Sequence, residues 1–129
     1  MKEREKSEKM AKVYVQTQLS SPSSDNDYFE GKALLKENRI VYYQDSLKNV
    51  FTMGELVTLI REDDEKKLEL CFYPEPKVIC HLKEYNQSLA FDIKVERLVQ
   101  QEMNYEIDYQ IEKEKYHLKI KIEVIENDK

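Results

Sequence analysis

This sequence predicts an all-β protein, an antiparallel up-and-down β-barrel of eight to nine strands. Three observations lead there. First, large apolar residues alternate with polar ones at the C-terminal end: Met103, Tyr105, Ile107, Tyr109 and Ile111, then Tyr116, Leu118, Ile120, Ile122 and Val124. Side chains on a strand change faces at every residue, so each run has one oily face and one wet face. Second, similar short runs recur along the chain, with mostly brief polar connections between them. Third, nothing alternates strand with helix, which argues against a parallel sheet. Numerous sequential antiparallel strands must protect their edges, and a barrel does so by closing. A two-sheet sandwich is the structural alternative.

The elements follow in order. Residues 1–11 are charged and lack a buried-face pattern, which predicts a flexible N-terminal arm ahead of one barrel domain over 12–126. A strand is expected over 13–19, then a loop over 20–27 rich in Ser, Asp, Asn and Pro. The next strand covers 28–36 with Gly31 inside it, the mark of a bulge, a bend or a close backbone approach. After a tight turn at Glu37 and Asn38 comes a strand over 39–44, then a loop over 45–49. A short strand over 50–53 breaks at Gly54, and strands over 55–62, 67–73, 77–83 and 89–96 follow. Residues 97–102 are open to two readings. Val95, Leu98, Val99 and Met103 sit at helical spacing, yet period 2 resumes immediately afterwards.

Composition limits function. The chain has 129 residues, enough for one core. Hydrophobic residues make up 40% and charged residues 36%, which suits a small sheet with one very polar face. No apolar run approaches the ~20 residues that cross a bilayer, and no secretory signal is evident at the start. The net charge is −5, with acids and bases interleaved. That pattern argues against nucleic-acid and membrane partners. Lys113, Lys115, Lys119 and Lys121 read as a solvated strand face mixed with Glu112, Glu114 and Glu123.

The cysteines, Cys71 and Cys80, flank a Pro-containing hairpin. A register pairing Phe72 with Val78 and Leu70 with Cys80 puts Cys71 outside and Cys80 inside, so they cannot bond. Two reduced thiols point to a cytoplasmic protein.

Several motifs carry a resemblance. These are Glu30 to Lys36 (EGKALLK), Arg39 to Asp45 (RIVYYQD), Gly54 to Glu62 (GELVTLIRE) followed by Leu68 to Phe72 (LELCF), Leu89 to Leu98 (LAFDIKVERL) and Tyr105 to Ile111 (YEIDYQI). Over about residues 28–125 the chain resembles the YwiB-like family of uncharacterised bacterial proteins. The resemblance implies a calycin-like β-barrel, similar to the lipocalin and fatty-acid-binding class. It departs from the family pattern where Asp63 stands in place of a Gly and near Gln87, where another Gly is expected. Those turns then have a different geometry here. The resemblance implies a fold and carries over no activity.

No catalytic set is legible. His81 and His117 fall on the outward face, and Cys80 has no base on its own face. The chain contains only two glycines, so a phosphate-cradling loop is absent. Asp25, Asp27, Asp63, Asp64 and Glu65 lack the spacing of a calcium loop and read as solvated turn residues. The expectation is therefore a non-enzyme with no cofactor and no metal, either monomer or homodimer. Its ligand-binding candidates are Arg61, Tyr43, Tyr105, Ile107 and Tyr109. If Arg61 points inward, a guanidinium among tyrosine hydroxyls would receive the anionic end of a small, partly apolar ligand. Otherwise Arg61 leans into solvent or pairs with an acid as a structural bridge. The competing functional reading is an interaction barrel with a filled interior, for which edge pairing of the strand over 116–124 is one route.

Overall fold

The computed structural model describes residues 10–22 and 24–127. The expected arm therefore lies outside the described residues over 1–9, and Met10 and Ala11 already belong to a strand. The strands are β1 (Met10–Ser21), β2 (Ser24–Lys36), β3 (Arg39–Gln44), β4 (Leu47–Thr52), β5 (Val57–Glu62), β6 (Lys66–Tyr73), β7 (Lys77–Leu82), β8 (Gln87–Phe91), β9 (Ile93–Gln101), β10 (Asn104–Ile111) and β11 (Glu114–Asn127). They form one antiparallel sheet in the order β8-β7-β6-β5-β4-β3-β2-β1-β11-β10-β9. Every neighbour in this sheet is also a neighbour in sequence, except that β1 lies beside β11. The outermost strands, β8 and β9, are one length of chain separated by Asp92 alone. One half pairs with β7 and the other with β10, which makes the sheet a nearly closed barrel.

Eleven strands replace the expected eight to nine, and the differences have local causes. The predicted loop over 20–27 shrinks to a tight hairpin in which Ser21 faces Ser24. The predicted loop over 45–49 is only the turn at Asp45 and Ser46, where Asp45 has φ 56°. The expected strand over 89–96 divides at Asp92.

The open reading at 97–102 resolves as strand. Val95 pairs with Tyr109 and Arg97 with Asp108, leaving Glu96 as the extra residue of a bulge. The bulge reverses the parity, so Val95 and Leu98 both pack against the core. Their helical spacing is a bulged strand.

The hairpin between β6 and β7 pairs Leu70 with Val78 and Leu68 with Cys80, two residues away from the expected register. A slip of two preserves every face. Cys71 and Cys80 are free, with Cys80 on the inward side. Among the described residues no helix is long and apolar enough to cross a membrane.

The core lies along the barrel axis. Phe51 meets Tyr105 edge-on at 5.1 Å between ring centroids, and Phe72 meets Tyr109 at 5.0 Å. Val13, Val15, Ile40, Ile107 and Ile120 are fully buried around them. Burying such side chains stabilises by about 1.5–3 kcal/mol each. Gly31 makes room for an aromatic ring. A Cβ there would lie 3.1 Å from the Phe29 ring, which instead folds over the glycine and stacks on Tyr42 at 4.7 Å. Gly54, at φ 101°, takes a conformation that side chains rarely allow, and its N–H donates to the Tyr105 hydroxyl at 3.1 Å.

Candidate functional site

The strand alternation places Arg61 on the same inward face of β5 as Val57 and Leu59. Its side chain is 17% exposed. Nε donates to Asn49 Oδ1 at 2.9 Å, and Nη2 donates to Asp27 Oδ2 at 2.8 Å and Gln44 Oε1 at 3.1 Å. Two of the expected alternatives thus hold together: Arg61 enters the barrel and is paired there with an acid. A desolvated cation needs such a shell, because unpaired burial of charge is heavily penalised.

The shell was poorly legible in the sequence. Asp27 was expected as a solvated turn residue, and Asn49 as part of a loop. Asn49 is instead fully buried on β4, donating to Gln44 Oε1 at 3.1 Å and to the Leu47 carbonyl at 3.4 Å. The usable signal was the parity of Leu47, Asn49 and Phe51, which share one face once β4 is extended.

The other candidates separate along the axis. Tyr109 is buried near Arg61 and stacks on Tyr116 at 5.2 Å. Its hydroxyl makes no hydrogen bond among the described residues. Burial pushes the Tyr109 phenol well above its ordinary pKa, and the neighbouring Tyr116 adds to the rise while the Arg61 charge opposes it. Tyr105 and Ile107 lie deeper in the barrel and fill the core; Tyr105 is occupied by Gly54. Tyr43 is a correction. It is 57% exposed on the outer face of β3, and the inward tyrosine of that pair is Tyr42. Tyr42 is buried beside Thr17, and desolvation raises its pKa.

An open cleft lies at this end of the barrel. It has a volume of about 480 Å³ and is lined by Leu68, Val78, Cys80, Phe91, Ile111 and Tyr116, with the β10–β11 turn as its rim. Leu68 is the direct cross-strand partner of Arg61, while the guanidinium itself is directed towards Asn49, Gln44 and Asp27 on the other side of β5.

The histidines face outward and carry acid partners. His81 lies between Ser88 Oγ at 2.7 Å and Glu69 Oε2 at 2.9 Å. His117 lies between Asp108 and Glu106, with Arg97 bridging the same two carboxylates. Asp63 caps its own turn, accepting the Glu65 and Lys66 N–H groups at 2.8 and 3.0 Å, which lowers its pKa. Among the described residues no group of His, Cys, Asp and Glu is placed to hold a metal ion.

No family model matches the sequence, and no curated protein matches it. Among solved structures, the chain is similar to the ywiB protein from Bacillus subtilis. The TM-score is 0.62 at 12% sequence identity, covering 92% of this chain and 94% of that one. The chain has a YwiB-like fold. At this identity the likeness is one of fold alone, and it agrees with the resemblance carried by the sequence motifs.

Proposed function

We propose that this protein is a non-enzymatic, cytoplasmic β-barrel of calycin-like kind that binds a small, partly apolar ligand at its mouth. The observation that carries the reading is the cleft of about 480 Å³, whose lining residue Leu68 is the cross-strand partner of Arg61. Ligand sites are typically concave and mostly apolar, with volumes of roughly 300–1,000 Å³ and a few polar groups that fix orientation. Here the polar groups taken to fix orientation are Arg61, across the ladder from Leu68, and Tyr109, which stacks on the lining residue Tyr116. In this reading the ligand lies against Leu68, Cys80 and Tyr116, and Tyr105 and Ile107 belong to the core instead of the lining.

The packed aromatic axis favours a second reading, an interaction barrel with a filled interior. The edge route through the strand over 116–124 is narrowed to residues 121–124: β10 pairs with β11 only as far as Ile120, and beyond it β11 is paired by β1 alone.

The test is a screen of anionic fluorescent lipophiles against wild type and Cys80→Trp, which fills the cleft from its wall. The cleft reading expects binding to wild type below ~100 μM, a ΔG of about −5.5 kcal/mol, and loss in the variant. Absence of binding, or equal binding to both proteins, would transfer the assignment to the interaction barrel. Bound ligand should also slow thiol labelling at Cys80 and leave Cys71 unaffected.

A further inference from the structure

β2 and β3 are laddered only between residues 34–36 and 39–41. Towards the mouth β2 continues along β1, while β3 runs on to Gln44. No strand pairing joins residues 27–33 to 42–44, so the wall has a slot there. Side chains hold it together: Phe29 stacks on Tyr42, and Asp27 accepts from Gln44 Nε2 at 3.1 Å and from Arg61 Nη2 at 2.8 Å. The strap that ties this stretch of β2 across the slot is thus an anion on the candidate site's own cation.

The Arg61–Asp27 contact uses one prong of the guanidinium. Nη1 has no hydrogen bond among the described residues, and the Arg61 side chain is partly exposed. An anion with two free oxygens, such as a carboxylate or a sulfonate, could engage both terminal nitrogens, a geometry that the monodentate Asp27 does not reach. Asp27 is 39% exposed and can return to water cheaply, whereas the mostly buried Arg61 must keep a counter-charge. Exchange of one anion for another satisfies both requirements. We propose that Asp27 is a built-in occupant of the anion site, and that the anionic head of an amphiphilic ligand displaces it from Arg61 and releases residues 27–33 of β2 from β3. Uncharged ligands lack the means to do so. This inference rests on the mouth cleft being the binding site proposed above.

The experiment compares 8-anilinonaphthalene-1-sulfonate with uncharged N-phenyl-1-naphthylamine on wild type, Asp27→Asn and Arg61→Gln. The uncharged probe should bind all three alike. The sulfonate should bind Asp27→Asn about tenfold more tightly than wild type, and Arg61→Gln about tenfold more weakly. In wild-type protein, saturating sulfonate should raise deuterium uptake over residues 24–33, and the uncharged probe should not. This second measurement decides the matter alone if Asp27→Asn fails to fold. Equal sulfonate affinity for wild type and Asp27→Asn, or uptake unchanged by the sulfonate, overturns the exchange. Continued binding of the uncharged probe would then leave the cleft reading standing. If neither probe binds, the cleft reading falls and the exchange falls with it.

Discussion

Replacing Asn49 by Leu probes how Arg61 is held inside the barrel. The side chains are close in size, so the change is mainly one of hydrogen bonding. Asn49 gives Arg61 Nε its acceptor and donates to Gln44, while its bond to the Leu47 carbonyl is long. A hydrogen bond to a charged group contributes ~1.5–3 kcal/mol, and a neutral one about 1. Burying Leu at a site with no exposure returns about 1.5 kcal/mol. The net cost should be about 1–2 kcal/mol. In urea denaturation that lowers the midpoint by about 1 M at an m near 1.5 kcal/mol/M.

The sharper measurement is a double-mutant cycle with Arg61→Met. Without the guanidinium, Asn49→Leu loses only the bond to Gln44 and the long one to the Leu47 carbonyl, and should be close to neutral. The coupling should therefore be about 2 kcal/mol. An equal cost in both backgrounds would mean that Asn49 does not carry the buried cation, and the shell described around Arg61 would be wrong.

Two further outcomes are expected. Ile120 is 1% exposed and Lys121 faces solvent. Ile120→Asp should cost several kcal/mol and Lys121→Glu no more than about 0.5, both read by chemical denaturation; equal damage would refute the face assignment. Stability should also fall under alkaline conditions. Tyr109 and Tyr42 have raised pKa values because burial disfavours their phenolates. Each therefore contributes stability that is fully present below the unfolded value of about 10 and is lost as pH rises from there towards the folded value. Tm followed across that range should drop less steeply in Tyr109→Phe than in wild type, and tyrosinate absorbance should appear together with unfolding.

The all-β class, the faces of most strands and the separation of Cys71 from Cys80 were legible in the sequence, because alternation is a local property of consecutive side chains. The register between β6 and β7 was read two residues off with no effect on the faces, since parity survives an even slip. Reading failed where polar residues belong inside. Asp27 and Asn49 look like loop residues and Gln44 like a strand end, and what draws them inward is Arg61, 34, 12 and 17 residues away along the chain. It stayed open just after Glu96, where a bulge gives a strand the spacing of a helix. Tertiary structure alone decided that β1 closes on β11, that β8 and β9 bridge the two ends of the sheet, and that β2 parts from β3 beside the buried cation. Those are pairings between distant segments, stabilised by backbone ladders and a shared core, and no local pattern of side chains specifies which strand edges meet.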